Sequence, residues 1–157
     1  MLAAGQYLPA PRPRALDETT SDIELILPAR AENVAVVRHA MGALGEVLEL
    51  DSQVLSDIKL AITEACTNVV VHAYAEAEGP MSITAEVDAG RLVVAVCDEG
   101  RGIAPRADSP GLGLGLPLIA TLAEAVELGR DAEEHTEVRM VFRLDPEPSA
   151  PEPEKAG

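Results

Sequence analysis

The chain has 157 residues, room for one domain of ordinary size, and its 47% hydrophobic content is too high for a disordered protein. Twelve Lys and Arg against 27 Asp and Glu leave a formal charge of −15, a surface that repels nucleic-acid phosphate and anionic lipid, so neither is expected as a partner. No apolar run approaches the roughly 18 residues of a membrane span. The N-terminal stretch has no signal-peptide apolar core, because prolines and arginines interrupt it. Cys66 and Cys97 cannot by themselves build a disulfide framework or a zinc site. Composition therefore predicts a soluble, acidic, cytoplasmic α/β domain. With Tyr7, Tyr74 and Phe142 as its whole aromatic complement, its core must be built from Leu, Val, Ile and Ala.

Residues 1–20 carry Pro9, Pro11 and Pro13 without a hydrophobic period, and residues 145–157 read DPEPSAPEPEKAG. Both are expected to be disordered tails around a folded body at 21–144. Ile23–Leu27 is a short strand that Pro28 ends. Glu32 to Glu49 fits a helix, with Val36, Val37, Ala40, Leu44, Val47 and Leu48 on its apolar side. A second helix starts with Asp51 or Ser52 as cap and runs to about Ala77, stopped by Gly79-Pro80. Ser82–Val87 alternates as a strand, Asp88-Ala89-Gly90 turns, and Leu92–Cys97 returns as a more buried strand. After a glycine-rich stretch from Asp98 to Gly115, Leu116–Ala125 forms a third helix, with Pro117 tolerated in its first turn. Val126–Leu128 and Val138–Leu144 close the chain as a strand pair around a turn at 129–134. This order predicts an α/β (α+β) two-layer sandwich, a mixed, mostly antiparallel sheet with three helices on one face.

Three segments carry chemistry. On the second helix Glu64, Asn68 and His72 stand at i, i+4 and i+8, a polar stripe beside the apolar Ile58, Ile62, Ala65 and Val69. The exposed face of an amphipathic helix would give the same spacing. Asp98-Glu-Gly100-Arg-Gly102 follows a hydrophobic strand directly, so an acceptor-only carboxylate can sit at a pocket mouth while the chain turns sharply. An ordinary glycine-rich turn would look alike. Gly111-Leu-Gly113-Leu-Gly115 runs into a helix, where bare backbone N–H groups and the helix N-terminus favour an anion. It is neither a Walker A loop nor a GxGxxG after a strand.

In combination, ExxxN on a helix, DxGxG after a strand and GxGxG before a helix resemble the N, G1 and G2 boxes of the GHKL ATPase superfamily. The resemblance covers roughly 21–144 and implies a Bergerat-type, histidine-kinase-like ATPase fold. The EAxTNxxxHAY form of the first box and the late HTEVRMVF strand are most similar to small anti-sigma-factor serine/threonine kinases of the RsbW and SpoIIAB type. At this length neither the helical hairpin of a sensor histidine kinase nor a transducer domain is expected. His39 sits singly in the first helix, and both it and His135 are expected to be structural or solvent-facing.

The resemblance implies ATP and Mg²⁺ as cofactors. Asn68 would offer its amide oxygen to Mg²⁺, and Glu64 would act as general base on the attacking hydroxyl or orient its proton. Asp98 would accept the adenine amino group, while Gly100 and Gly102 let the chain pass close to the base. Gly111, Gly113 and Gly115 would wrap the phosphates, and Thr136 would support the adenine–Asp98 network. Two departures stand out: His135 occupies the place of the family's usual Gly before Thr136, and only eight residues (IAPRADSP, with Arg106 as their cation) separate Gly102 from Gly111. The implied activity is an ATP-dependent serine/threonine kinase that phosphorylates a STAS-type anti-sigma-factor antagonist and, as a homodimer, sequesters a sigma factor. The alternatives are a nucleotide-holding sequestration module, or a kinase in a signalling complex that activates a phosphatase.

Overall fold

In the first strand, β1 (Ile23–Pro28), the half-buried Ile23, Leu25 and Leu27 alternate with the exposed Glu24 and Ile26. This is the period-2 pattern of a strand covered on one side. The computed structural model describes residues 22–74, 78–100, 112–131 and 133–145. The tail expected at 1–20 and, apart from Asp145, the one expected at 145–157 lie outside them, as do Gly102, Arg106 and Gly111.

Two helices follow, α1 (Ala31–Val47) and α2 (Ser52–Asn68). Asp51, not Ser52, caps α2: its carboxylate accepts from the N–H groups of Gln53 at 2.8 Å and Val54 at 3.4 Å. The helix does not run on to Ala77. After Asn68 the backbone widens into a π turn, Val69–Ala73, and Tyr74 leaves it in an extended conformation. Such wide turns occur singly and often at functional sites. The apolar stripe of α2 is where the sequence puts it, with Ile58, Ile62, Ala65 and Val69 all buried.

The strands β2 (Pro80–Asp88) and β3 (Arg91–Asp98) form a hairpin turned by Ala89 and Gly90, both at positive φ (48° and 74°). The two-residue turn of that hand matches the natural twist of the strands. After α3 (Leu112–Leu122) come β4 (Ala125–Arg130) and β5 (Thr136–Arg143). The sheet order is β1-β2-β3-β5-β4, and every neighbouring pair is antiparallel. The expectation of a mixed sheet is thus corrected. The β3–α3–β4 crossover does return parallel to β3, but β5 lies between the two, so the parallel strands never pair.

Met81, Ile83, Leu92, Val96, Met140 and Phe142 all point to one face of the sheet and are buried there against the helices. All three helices cover this side, as the two-layer reading requires. Phe142 is the buried aromatic among the described core residues, and the partly buried Tyr74 packs against the same core. The opposite face is covered by no described helix and carries half-buried polar groups such as Cys97, Glu137 and Arg139.

The third helix departs most from expectation. It begins at Leu112, four residues before Leu116, so Gly113 and Gly115 lie inside its first turn and Pro117 sits in its interior. Having no N–H, Pro117 leaves the Gly113 carbonyl without its usual helical partner. No helix among the described residues is long and apolar enough to cross a membrane.

Candidate active site

Asn68 is the last residue of α2 before the π turn and is 6% exposed, so it does not belong to a solvated helix face. Its Nδ2 is the one buried side-chain polar atom without a hydrogen-bond partner among the described residues. An orphaned donor of this kind costs about 1–3 kcal/mol. Against it lies Gly115 of α3, where an added Cβ would stand 2.9 Å from Nδ2 and 3.1 Å from Oδ1. Packing of α3 on α2 therefore joins the first and third sequence segments at one point. Glu64, one turn before Asn68, is half-buried and projects from the same side of α2. His72, the third member of the predicted stripe, falls in the π turn and leaves that alignment.

Asp98 ends β3, and Thr136 begins β5 directly opposite it. Both are buried, at 3% and 6% exposure, on the helix-covered side of the sheet. A carboxylate in this place needs a reason, because burial pushes its pKa above the ordinary range. A hydrogen bond from the Gly100 N–H to Oδ1, at 3.0 Å, and the nearby His135 pull it back down. Its Oδ2 accepts no hydrogen bond from the described residues. Gly100 itself crosses the end of the π turn so closely that a Cβ would meet the Ala73 carbonyl oxygen at 2.0 Å. The glycine is required here by backbone crossing, whatever else it does.

His135 turns out to be structural, as expected. Its backbone N–H donates to Asp131 Oδ1 at 2.9 Å and its Nδ1 lies 3.1 Å from Oδ2, which fixes the β4–β5 turn. Its Nε2 is 3.9 Å from Glu99. His39 is exposed, with Nδ1 2.7 Å from the Ala35 carbonyl.

The structure thus packs Asn68 against Gly115 with Glu64 one helical turn before Asn68, and separately pairs Asp98 with Thr136 and Gly100. Gly113 lies in the first turn of α3, whose leading N–H groups have no partner within a helix and so favour an anion. The residue that sequence reasoning passed over is Tyr74. Its hydroxyl accepts from the Glu99 N–H at 2.9 Å and donates to the Pro80 carbonyl at 2.5 Å. Its place at the end of the first motif, in a chain with 2% aromatics, was the available signal.

A buried acceptor at a strand end, a buried amide at a helix end and a glycine-backed helix N-terminus together suit a nucleotide site. A family model of the histidine kinase-like ATPase domain matches residues 27–142, and the chain belongs to that family. Within it, the serine-protein kinase RsbW of Bacillus thuringiensis (strain Al Hakam) is 35% identical over 129 residues, 73% of this chain and 81% of that protein. Its counterpart in Bacillus anthracis is 33% identical over the same span. The chain is accordingly of the RsbW type, the class of protein serine kinases that its first motif resembles. The crystal structure of the RsbU and RsbW domains of Rv1364c from Mycobacterium tuberculosis shares the fold, with a TM-score of 0.60 at 22% identity. The match covers 78% of this chain and 31% of that one, so this chain spans about a third of that protein.

Proposed function

We propose that this chain is an ATP-dependent serine/threonine kinase that acts in the cytoplasm as a homodimeric anti-sigma factor. Its substrate would be a STAS-type anti-sigma-factor antagonist, and its sequestered partner a sigma factor. The observation that carries the reading is the buried Asn68 amide, its Nδ2 without a partner among the described residues, held against Gly115 and one helical turn from Glu64. An apolar residue would be cheaper there unless the amide had a ligand to meet. The acidic surface supports the partner choice, since sigma factors present basic DNA-binding faces.

The residues present fit Mg²⁺: Asn68 supplies a neutral hard oxygen, and the remaining positions are left to phosphate and water, as that ion prefers. Bound there, the ion would supply charge compensation for the phosphates. Asp98 accepts the adenine amino group through Oδ2, which accepts no hydrogen bond from the described residues, and Thr136 closes the buried pair behind it. Gly113, in the first turn of α3, offers its backbone N–H to the phosphates, and Gly115 and Gly111, the latter outside the described residues, are assigned to the same phosphate-wrapping segment. Glu64 takes the proton from the attacking serine or threonine hydroxyl. As that oxygen bonds to the γ-phosphorus, the bond to the β–γ bridging oxygen breaks and ADP leaves.

The test is transfer of labelled γ-phosphate to a purified STAS antagonist, beside a sigma-binding measurement on the same protein. Transfer together with sigma retention is expected. ATP bound and sigma held without transfer would reduce the protein to a sequestration module. Transfer without sigma binding would move it to a phosphatase-activating complex.

A further inference from the structure

The end of α2, the start of β2 and the end of β3 meet at a single hydroxyl. Tyr74 donates to the Pro80 carbonyl (2.5 Å) and accepts from the Glu99 N–H (2.9 Å), which needs a group that is donor and acceptor at once. Its ring fills the space beside Gly79, where an added Cβ would fall 2.0 Å from a ring carbon. Burial raises the pKa of the phenol above its ordinary value, so the donor stays protonated.

Glu99 is the middle residue of the turn that presents Asp98. On one side of it Asp98 is held in register with Thr136; on the other, Gly100 returns its N–H to Asp98 Oδ1 and packs on the Ala73 carbonyl. Tyr74 therefore pins the Glu99 N–H, which no other described residue of the turn satisfies. It does so from the chain end of the helix that carries Asn68 and Glu64.

We infer that Tyr74 is a positioning residue for base selectivity: it holds the Asp98–Gly100 turn so that the carboxylate faces an adenine amino group. The inference rests on Asp98 being the adenine acceptor. Tyr74 touches no nucleotide in this arrangement; it acts through Asp98.

The experiment is calorimetry of ADP and GDP binding, with Mg²⁺, on full-length wild type, Tyr74→Phe and Asp98→Asn. Tyr74→Phe keeps the ring and removes the latch, leaving the Glu99 N–H without its acceptor. It is expected to lower ADP affinity about tenfold. GDP affinity should change less than twofold, so the ADP/GDP ratio narrows. A tyrosine with a merely structural role would weaken both ligands alike and leave the ratio unchanged, which overturns the inference. Asp98→Asn separates the two failures. If it collapses the ratio while Tyr74→Phe does not, Tyr74 has no positioning role. If it leaves the ratio intact, the reading of Asp98 fails and the inference with it. Should Tyr74→Phe not fold, amide exchange in the wild type reads the same contact. Protection of the Glu99 N–H that rises at least tenfold with ADP but not with GDP supports the latch, and equal protection with both refutes it.

Discussion

The carboxamide of Asn68 and the backbone of Gly115 share one van der Waals surface, with no space between them for a methyl group. A glycine inside a helix usually costs about 1 kcal/mol relative to alanine. Gly115→Ala should therefore leave the fold intact but push the Asn68 amide out of place. ADP affinity in the presence of Mg²⁺ is expected to fall at least about tenfold by calorimetry, the scale of one misplaced hydrogen-bonding group. The apo melting temperature should stay within a few degrees of wild type.

Asn68→Ala tests the amide directly. It removes an orphaned buried donor and installs the better helix former, so the apo protein should melt at the same temperature or higher. Mg²⁺-dependent ATP binding should be lost. Survival of that binding would make Asn68 a packing residue only.

Asp98 gives a pH dependence whose sign follows from its raised pKa. Between the unfolded value, about 3.9, and the folded one, the native state holds the proton more tightly than the unfolded chain. Apo stability contributed by this group therefore falls as pH rises through that window and stays lower above it. Asp98→Asn should match or exceed the wild-type apo melting temperature at pH 7, with the gap closing below about pH 4. Wild-type ADP binding should weaken on acidification from a higher pH than an ordinary carboxylate would dictate. Titration calorimetry between pH 4 and 8 reads this loss.

Glu64→Gln separates chemistry from binding. A general base contributes about 10²–10⁴-fold to rate, so phosphate transfer should fall at least a hundredfold. ATP affinity should hold within a few-fold and sigma retention should persist. Unchanged transfer would remove Glu64 from the mechanism.

Cys97 is expected to resist alkylation despite its place on the sheet face that no described helix covers. Burial first, and then Glu137 Oε2 at 3.5 Å, push its thiol up to about 12. At pH 8 iodoacetamide should label it at least about a hundredfold more slowly than a free thiol. Glu137→Gln should speed that labelling, which mass spectrometry can follow.

Much of this architecture was readable because local pattern and burial agree. Ile58, Ile62, Ala65 and Val69 repeat at helical spacing and all meet the core, and the Asp88–Gly90 turn signal sits where the hairpin bends. The start of α3 was misread because glycine's low helix propensity and proline's first-turn preference both argue for Leu116. Contact between Gly115 and Asn68 overrides them, and no local rule sees that contact. The π turn was invisible too: Val69–Ala73 has the composition of ordinary helix, and a shift to i→i+5 bonding leaves no mark in residue type. Tyr74 and Glu99 are 25 positions apart, so their hydrogen bond emerges only once β2 and β3 have aligned. The candidate site was readable as a set of residue types, while what joins them was not.

The π turn also fixes an angular phase. Each residue of an α-helix advances about 100°, and the wider turn after Asn68 retards that rotation before Tyr74 is reached. Asn68 and Tyr74 are therefore read from different clock positions of what began as one helix, one toward α3 and one toward the β2–β3 strand ends. Regular α winding over the same number of residues would instead carry Tyr74 roughly a quarter turn off its two partners. Winding in this segment is thus held as tightly as identity: without the wide turn the two halves of the site would come apart with every one of its named residues still in place.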